Sequence, residues 1–196
     1  MEERERRTRQ EQRLHTLQTA LRERRHVTLY SKADPGWGIC GYVLGVGERL
    51  VLFASFPDFQ PNGLRLIPLR SIAEAEIDSD FRQGIAQGAR LYERIGEIPA
   101  VRLDSWQSAL EDLLAQDAVL AIYLKPDGDS GDYAAGKLLR TGARAFAMRR
   151  FDADGVWEEE PSSYSYSRIE TVALNDRYLL TYLKYIQPIA LPAQCW

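Results

Sequence analysis

Apolar positions recur along the chain with two periods. In "RLHTLQTALRERR", residues 13–25, Leu14, Leu17 and Leu21 share one helical stripe while arginines and a glutamate take the other faces. That spacing predicts an amphipathic helix. "HVTLYSK", residues 26–32, then alternates, with Val27 and Leu29 on one face, which predicts a strand. "ADPGWG" carries turn residues. "ICGYVLGV", "RLVLFASF" and "LRLIPLRSI" follow as strands, "AEAEI" completes a fifth, and residues 81–97 are expected to be helical. The order then returns. "SWQSALEDLLAQD" places Trp106, Leu110, Leu113 and Leu114 inward on a helix. Ser108 and Glu111 have capping-box spacing, and Asp104 or Ser105 is an equally good start. "VLAIYLK", "YAAGKLLR", "RAFAMRRF", "YSYSRI" and "ETVAL" form the second set of strands, and "DRYLLTYLKYI" closes with a helix.

The two sets align as an internal repeat. A shift of 93 brings Leu17 onto Leu110, Tyr30 onto Tyr123, Lys32 onto Lys125 and Asp34 onto Asp127. A shift of 95 brings Gly41 onto Gly136, Gly47 onto Gly142, Arg49 onto Arg144 and Phe56 onto Phe151. A shift of 97 brings Ile72 onto Ile169, Ile77 onto Leu174 and Phe81 onto Tyr178. Both changes of shift fall in predicted loops, as expected of a duplicated unit.

Five short strands with a glycine in a bent second strand suit a small curved barrel, with Gly41 and Gly136 at the bends. The expected fold is α+β and mainly β: two tandem five-stranded barrel-like units, each flanked by helices. Their expected limits are residues 1–97 and 98–196. A leading helix followed by such a barrel resembles the Sm-like fold, in both units. The resemblance implies RNA binding. That family carries an aspartate-to-asparagine motif in the loop after the second strand and an arginine–glycine pair near the fourth. Here the loops read "GVGER" and "RTGAR", then "LRSI" and "YSRI", so neither motif is intact.

Charge and composition narrow the function classes. The net charge is −3, although residues 1–25 hold eight arginines against five glutamates. No global basic field marks the chain for nucleic acid. "EERERRTRQEQ" lacks the apolar core of a signal peptide, and no apolar run approaches the ~20 residues of a membrane span. A cytoplasmic protein is expected, with no membrane partner. Two cysteines, Cys40 and Cys195, do not make a disulfide framework. Two histidines, His15 and His26, are too few for most zinc sites.

Several stretches carry candidate chemistry. "GDSGD", residues 128–132, looks like the nucleophile loop of trypsin-like proteases, but no histidine stands in that family's context to serve as its base. Asp127, Asp129 and Asp132, with Asp152 and Asp154 of "FDADGVWEEE", are weak calcium candidates; the EF-hand spacing fails at Gly131, Asp132 and Leu138. Solvated turns explain the same residues. Cys40 sits in an apolar strand without a basic neighbour in the sequence, so a buried structural thiol is expected. Tyr164 and Tyr166, two apart in a strand, share a face with Trp157 nearby. They can stack bases, bind protein, or simply pack.

No catalytic constellation survives, and no cofactor or metal is expected. The expected function is non-enzymatic binding, first of an unidentified protein by an adaptor or an inhibitor of the immunity type. Trp37, Trp157, Tyr164 and Tyr166 are its aromatic candidates. The alternative is RNA or single-stranded nucleic acid, with Arg49, Arg144, Arg149 and Arg150 on phosphates; an uncharacterised enzyme stands third. A homo-oligomer is compatible with all three.

Overall fold

The computed structural model describes residues 2–127 and 130–186. Helix α1 (Glu2–Glu23) leads into β1 (His26–Ser31), β2 (Gly38–Val46), β3 (Leu50–Ser55), β4 (Leu64–Pro68) and β5 (Ile72–Ile77), and α2 (Asp80–Gly88) follows. The second half runs α3 (Trp106–Ala115), β6 (Val119–Asp127), β7 (Ser130–Thr141), β8 (Ala145–Arg150), β9 (Ser162–Ser165), β10 (Ile169–Leu174) and α4 (Arg177–Tyr185). The fold is α+β and mainly β. Among the described residues, no helix is long and apolar enough to cross a membrane.

The ten strands form one open antiparallel sheet in the order β5-β1-β2-β3-β4-β10-β6-β7-β8-β9. The sequence pointed to two barrel-like units; here the strands run continuously from one half to the other. Within each half the order is fifth, first, second, third, fourth. The join is β4 against β10, with Leu66 opposite Val172 and Leu64 opposite Leu174.

The pairing registers follow the sequence shifts. Val27 faces Gly41 as Leu120 faces Gly136. Val43 faces Phe53 as Leu138 faces Met148, and each pair is followed by a bulge. Leu29 faces Ala75 as Ile122 faces Val172. Val51 faces Ile67 as Phe146 faces Tyr164. Ser79 and Asp176, 97 residues apart, cap the two trailing helices by accepting the Arg82 and Leu179 amides.

Gly41 is where the bent second strand needs a glycine: a Cβ there would run into the Ala54 carbonyl on β3, and one at Gly136 into that of Arg149. Gly41→Ala should therefore cost roughly 1–3 kcal/mol, the usual penalty for overpacking. Urea denaturation measures it; an unchanged midpoint would show that the two strands separate freely there.

Three elements differ from the sequence pattern, each for a local reason. "LRLIPLRSI" is not one strand: after Pro68 the chain makes a 3-10 turn at Leu69–Ser71, and the Ser71 hydroxyl donates to the Pro68 carbonyl at 2.8 Å. "YSYSRI" breaks in the same way, with a turn at Tyr166–Arg168. The helix expected over residues 81–97 stops at Gly88, because Arg90 turns left-handed (φ 49°) and Leu91 N–H donates back to Ala86 O.

One side of the first half buries Leu17, Val27, Leu29, Val43, Val51, Phe53 and Ile67 beneath α1. The equivalent residues of the second half, Leu110, Leu120, Ile122, Leu138, Phe146, Met148 and Tyr164, lie in a cluster that also takes Tyr42, Leu52, Leu64 and Leu66 from the first. A single hydrophobic cluster thus crosses the join. Leu91, Tyr92, Ile95, Val101 and Leu103 from the segment between α2 and α3 cover its edge.

Candidate ligand-binding site

The β2–β3 turn, the turn after β4 and the start of α3 converge at the seam between the two halves. Leu103 fixes the first of these: its carbonyl accepts the Arg49 and Leu50 amides at 3.2 and 3.0 Å. Arg49 O in turn accepts the Leu69 amide at 2.8 Å, which ties the turn after β4 to the β2–β3 turn. Ser105 caps α3 by accepting the Ser108 amide at 3.1 Å, and this sets Trp106 at the helix start. Tyr166 is held by its hydroxyl, which donates to Gly142 O at 2.9 Å, and by Phe146, whose ring lies 5.7 Å away.

These elements enclose a cavity of about 540 Å³. Its lining includes Arg13, Lys32, Arg49 and Arg70, one carboxylate, Glu48, and the rings of Trp106 and Tyr166. Four cations against one acid make the cavity positive in a protein of net charge −3. Arg13 is part-buried: its Nη1 donates to Ile72 O at 2.7 Å, its Nε is buried without a partner, and desolvation lowers its pKa. Burial likewise raises the Tyr166 phenol, so the ring is neutral at pH 7. The cavity pairs anion-binding groups with flat aromatic surfaces.

The candidates from sequence divide sharply. Arg49 and Tyr166 meet in this cavity. Arg144, the equivalent of Arg49, is exposed at the β7–β8 turn and does not reach it. Arg150 is committed elsewhere, to Glu158 at 3.1 Å and to the Tyr164 hydroxyl at 3.0 Å. Arg149 is half-buried with its Nε enclosed and unpartnered. Tyr164 is buried in the core rather than displayed beside Tyr166. Trp157 packs edge-on against Phe151 at 5.3 Å, in a small cluster with Leu179 and Tyr182. Trp37, 73% exposed, stands on the β1–β2 turn beside a smaller cavity of about 200 Å³.

Asp152 accepts the Asp154 and Val156 amides at 3.0 and 2.9 Å, which is turn geometry. Among the described residues no three acidic, histidine or cysteine side chains group as metal ligands. Asp129 and Cys195 lie outside the described residues, as do the side chains of Asp127 and Asp132.

A second polar cluster lies under the start of α2. Asp78 Oδ2 accepts from His26 Nδ1 at 2.7 Å and pairs with Arg82 Nε at 3.1 Å, while Oδ1 accepts from the Thr28 hydroxyl at 2.7 Å. Gln83 exchanges hydrogen bonds with the His26 backbone. Arg82 Nη2 reaches Cys40 Sγ at 3.0 Å, so this thiol does have a basic neighbour, contrary to the expectation from sequence. The neighbour comes from 42 residues away, where strand periodicity gives no signal. The equivalent positions in the second half are Val119, Ala121, Ala135, Asn175 and Leu179. Three of these, Ala121, Ala135 and Leu179, form an apolar cluster there.

Comparison with protein-family models, curated proteins and solved structures finds no match.

Proposed function

We propose that the protein is a non-enzymatic binder of single-stranded nucleic acid, which it holds at the seam cavity. The observation that carries this reading is the convergence of Arg13, Lys32, Arg49 and Arg70 with Trp106 and Tyr166 around one space of about 540 Å³. Guanidinium and ammonium groups hold phosphates, and exposed rings stack bases without choosing among them. Protein recognition through an aromatic surface has less support, because Tyr164 and Trp157 are spent on packing.

Fluorescence anisotropy with a labelled mixed-sequence oligonucleotide tests the reading. Four phosphate contacts should make log K fall with log salt at a slope of about −3, at roughly 0.7 per contact for single strands. Inorganic polyphosphate should compete poorly, because it offers charge without bases. Absence of binding at low salt, or equal competition by polyphosphate, would sink it. Trp106→Ala should weaken binding by about 1–3 kcal/mol through lost stacking, with the salt slope unchanged. A shallower slope would assign Trp106 to shaping the cavity instead.

A further inference from the structure

We infer that copies of this chain associate head to tail, the β9 edge of one pairing antiparallel with the β5 edge of the next. Among the described residues, β5 and β9 are the two ends of the sheet, and each has a neighbour on one side only. They are also the counterparts of the two strands that meet at the internal join. β5 corresponds to β10 and β9 to β4, in register, through the same shift of 97. The sheet therefore ends in the two halves of a contact that the chain already makes once. Transferring the join's register sets Ser163 opposite Ala75, where Leu66 stands opposite Val172.

Two features of the free edges fit this pairing. A groove of about 320 Å³ runs between α1 and β5, lined by Gln12, Arg13, Thr16, Ala73 and Ala75 among others. It is the room that an incoming strand needs beside β5. The polarity of the two sides has also changed together. At the join, Leu66 shares an apolar cluster with Ala109 of α3; at the free edges the corresponding residues are Ser163 and Thr16. Serine on one edge answers threonine over the other.

The contact between copies is weaker than the join inside the chain. β9 has only four residues, Pro161 precedes it, and Pro161 and Ser163 replace Leu64 and Leu66. Short strands and proline blunt an edge, so assembly depends on concentration. The contact is heterologous, and such contacts build rings or open chains rather than closed twofold dimers.

Sedimentation velocity from micromolar to millimolar concentration reads this directly. The parent chain should rise from its 22.3 kDa monomer through integral multiples. Ser163→Arg would set a charge against Arg9 and Arg13 at the groove, and Thr16→Arg would block the groove from the other side. Each variant alone should remain monomeric. Mixed, they should form a one-to-one dimer and stop there, since each retains the edge that the other lacks. A parent chain that stays monomeric throughout, variants that assemble like the parent, or a mixture that does not dimerise would each overturn the inference. Thermal unfolding of the variants confirms that they are folded.

Discussion

Reversing two charges at the seam, Arg49→Glu with Arg70→Glu, should weaken oligonucleotide binding by about 100-fold or more while leaving the fold intact. Both side chains are exposed and line the cavity at the turns that follow β2 and β4. A charge-assisted hydrogen bond contributes about 1.5–3 kcal/mol, so loss of two contacts lowers affinity by about 100-fold to 10,000-fold. The new carboxylates add repulsion, and two fewer phosphate contacts should flatten the salt slope by about 1.4. The control is Arg140→Glu with Arg144→Glu, two exposed arginines and the same change of net charge placed away from the cavity. If that control weakens binding equally, the effect is one of overall charge and the seam is not the site. If the seam variant binds like the parent at low salt, the phosphates lie elsewhere.

The repeat was open to sequence reading because three shifts aligned residues of several kinds, including glycines, an arginine and an aspartate. The strand registers reproduce each shift, down to the bulges after Val43 and Leu138. Alternation reveals a strand but does not name its neighbour, and so the join of β4 to β10 stayed hidden. A trace of it was present. β4 reads "LRLIP", with Leu64, Leu66 and Ile67 covering both faces, whereas its counterpart β9 reads "SSYS". A strand apolar on both faces is one that is covered on both.

The site was legible only in part, for a related reason. Arg49 and Tyr166 belong to separate halves, and the seam brings them together. Helical spacing places Trp106 inward, and it is half-buried against the core; its place at the capped start of α3 also puts it on the cavity wall. The polar cluster under α2 gave no sequence signal, since His26, Thr28, Cys40, Asp78 and Arg82 lie on four separate elements and connections. Comparison of the two halves position by position does expose it: five polar or ionisable residues in the first half stand where the second has four apolar residues and Asn175.

Asp78→Ala should destabilise the protein by about 3 kcal/mol or more at pH 7. Asp78 and His26 are 8% and 0% exposed. Removing the carboxylate leaves His26 Nδ1 and the Thr28 hydroxyl buried without their acceptor, and each buried donor left unsatisfied costs about 1–3 kcal/mol. The effect has a defined pH dependence. Burial by itself raises the Asp78 pKa, but the hydrogen bonds from His26 and Thr28 and the charge of Arg82 outweigh it, and the group ends below its ordinary value. A carboxyl depressed in the folded state adds stability that is complete above its unfolded pKa, near 3.9. That contribution is lost as pH falls through the folded value. The difference between parent and variant in urea should therefore hold from pH 7 to about pH 5 and narrow below pH 4. A gap that widens on acidification would reverse the sign of the linkage. A gap below about 1 kcal/mol at pH 7 would mean that water replaces the carboxylate and that the cluster does not pin α2 to β1.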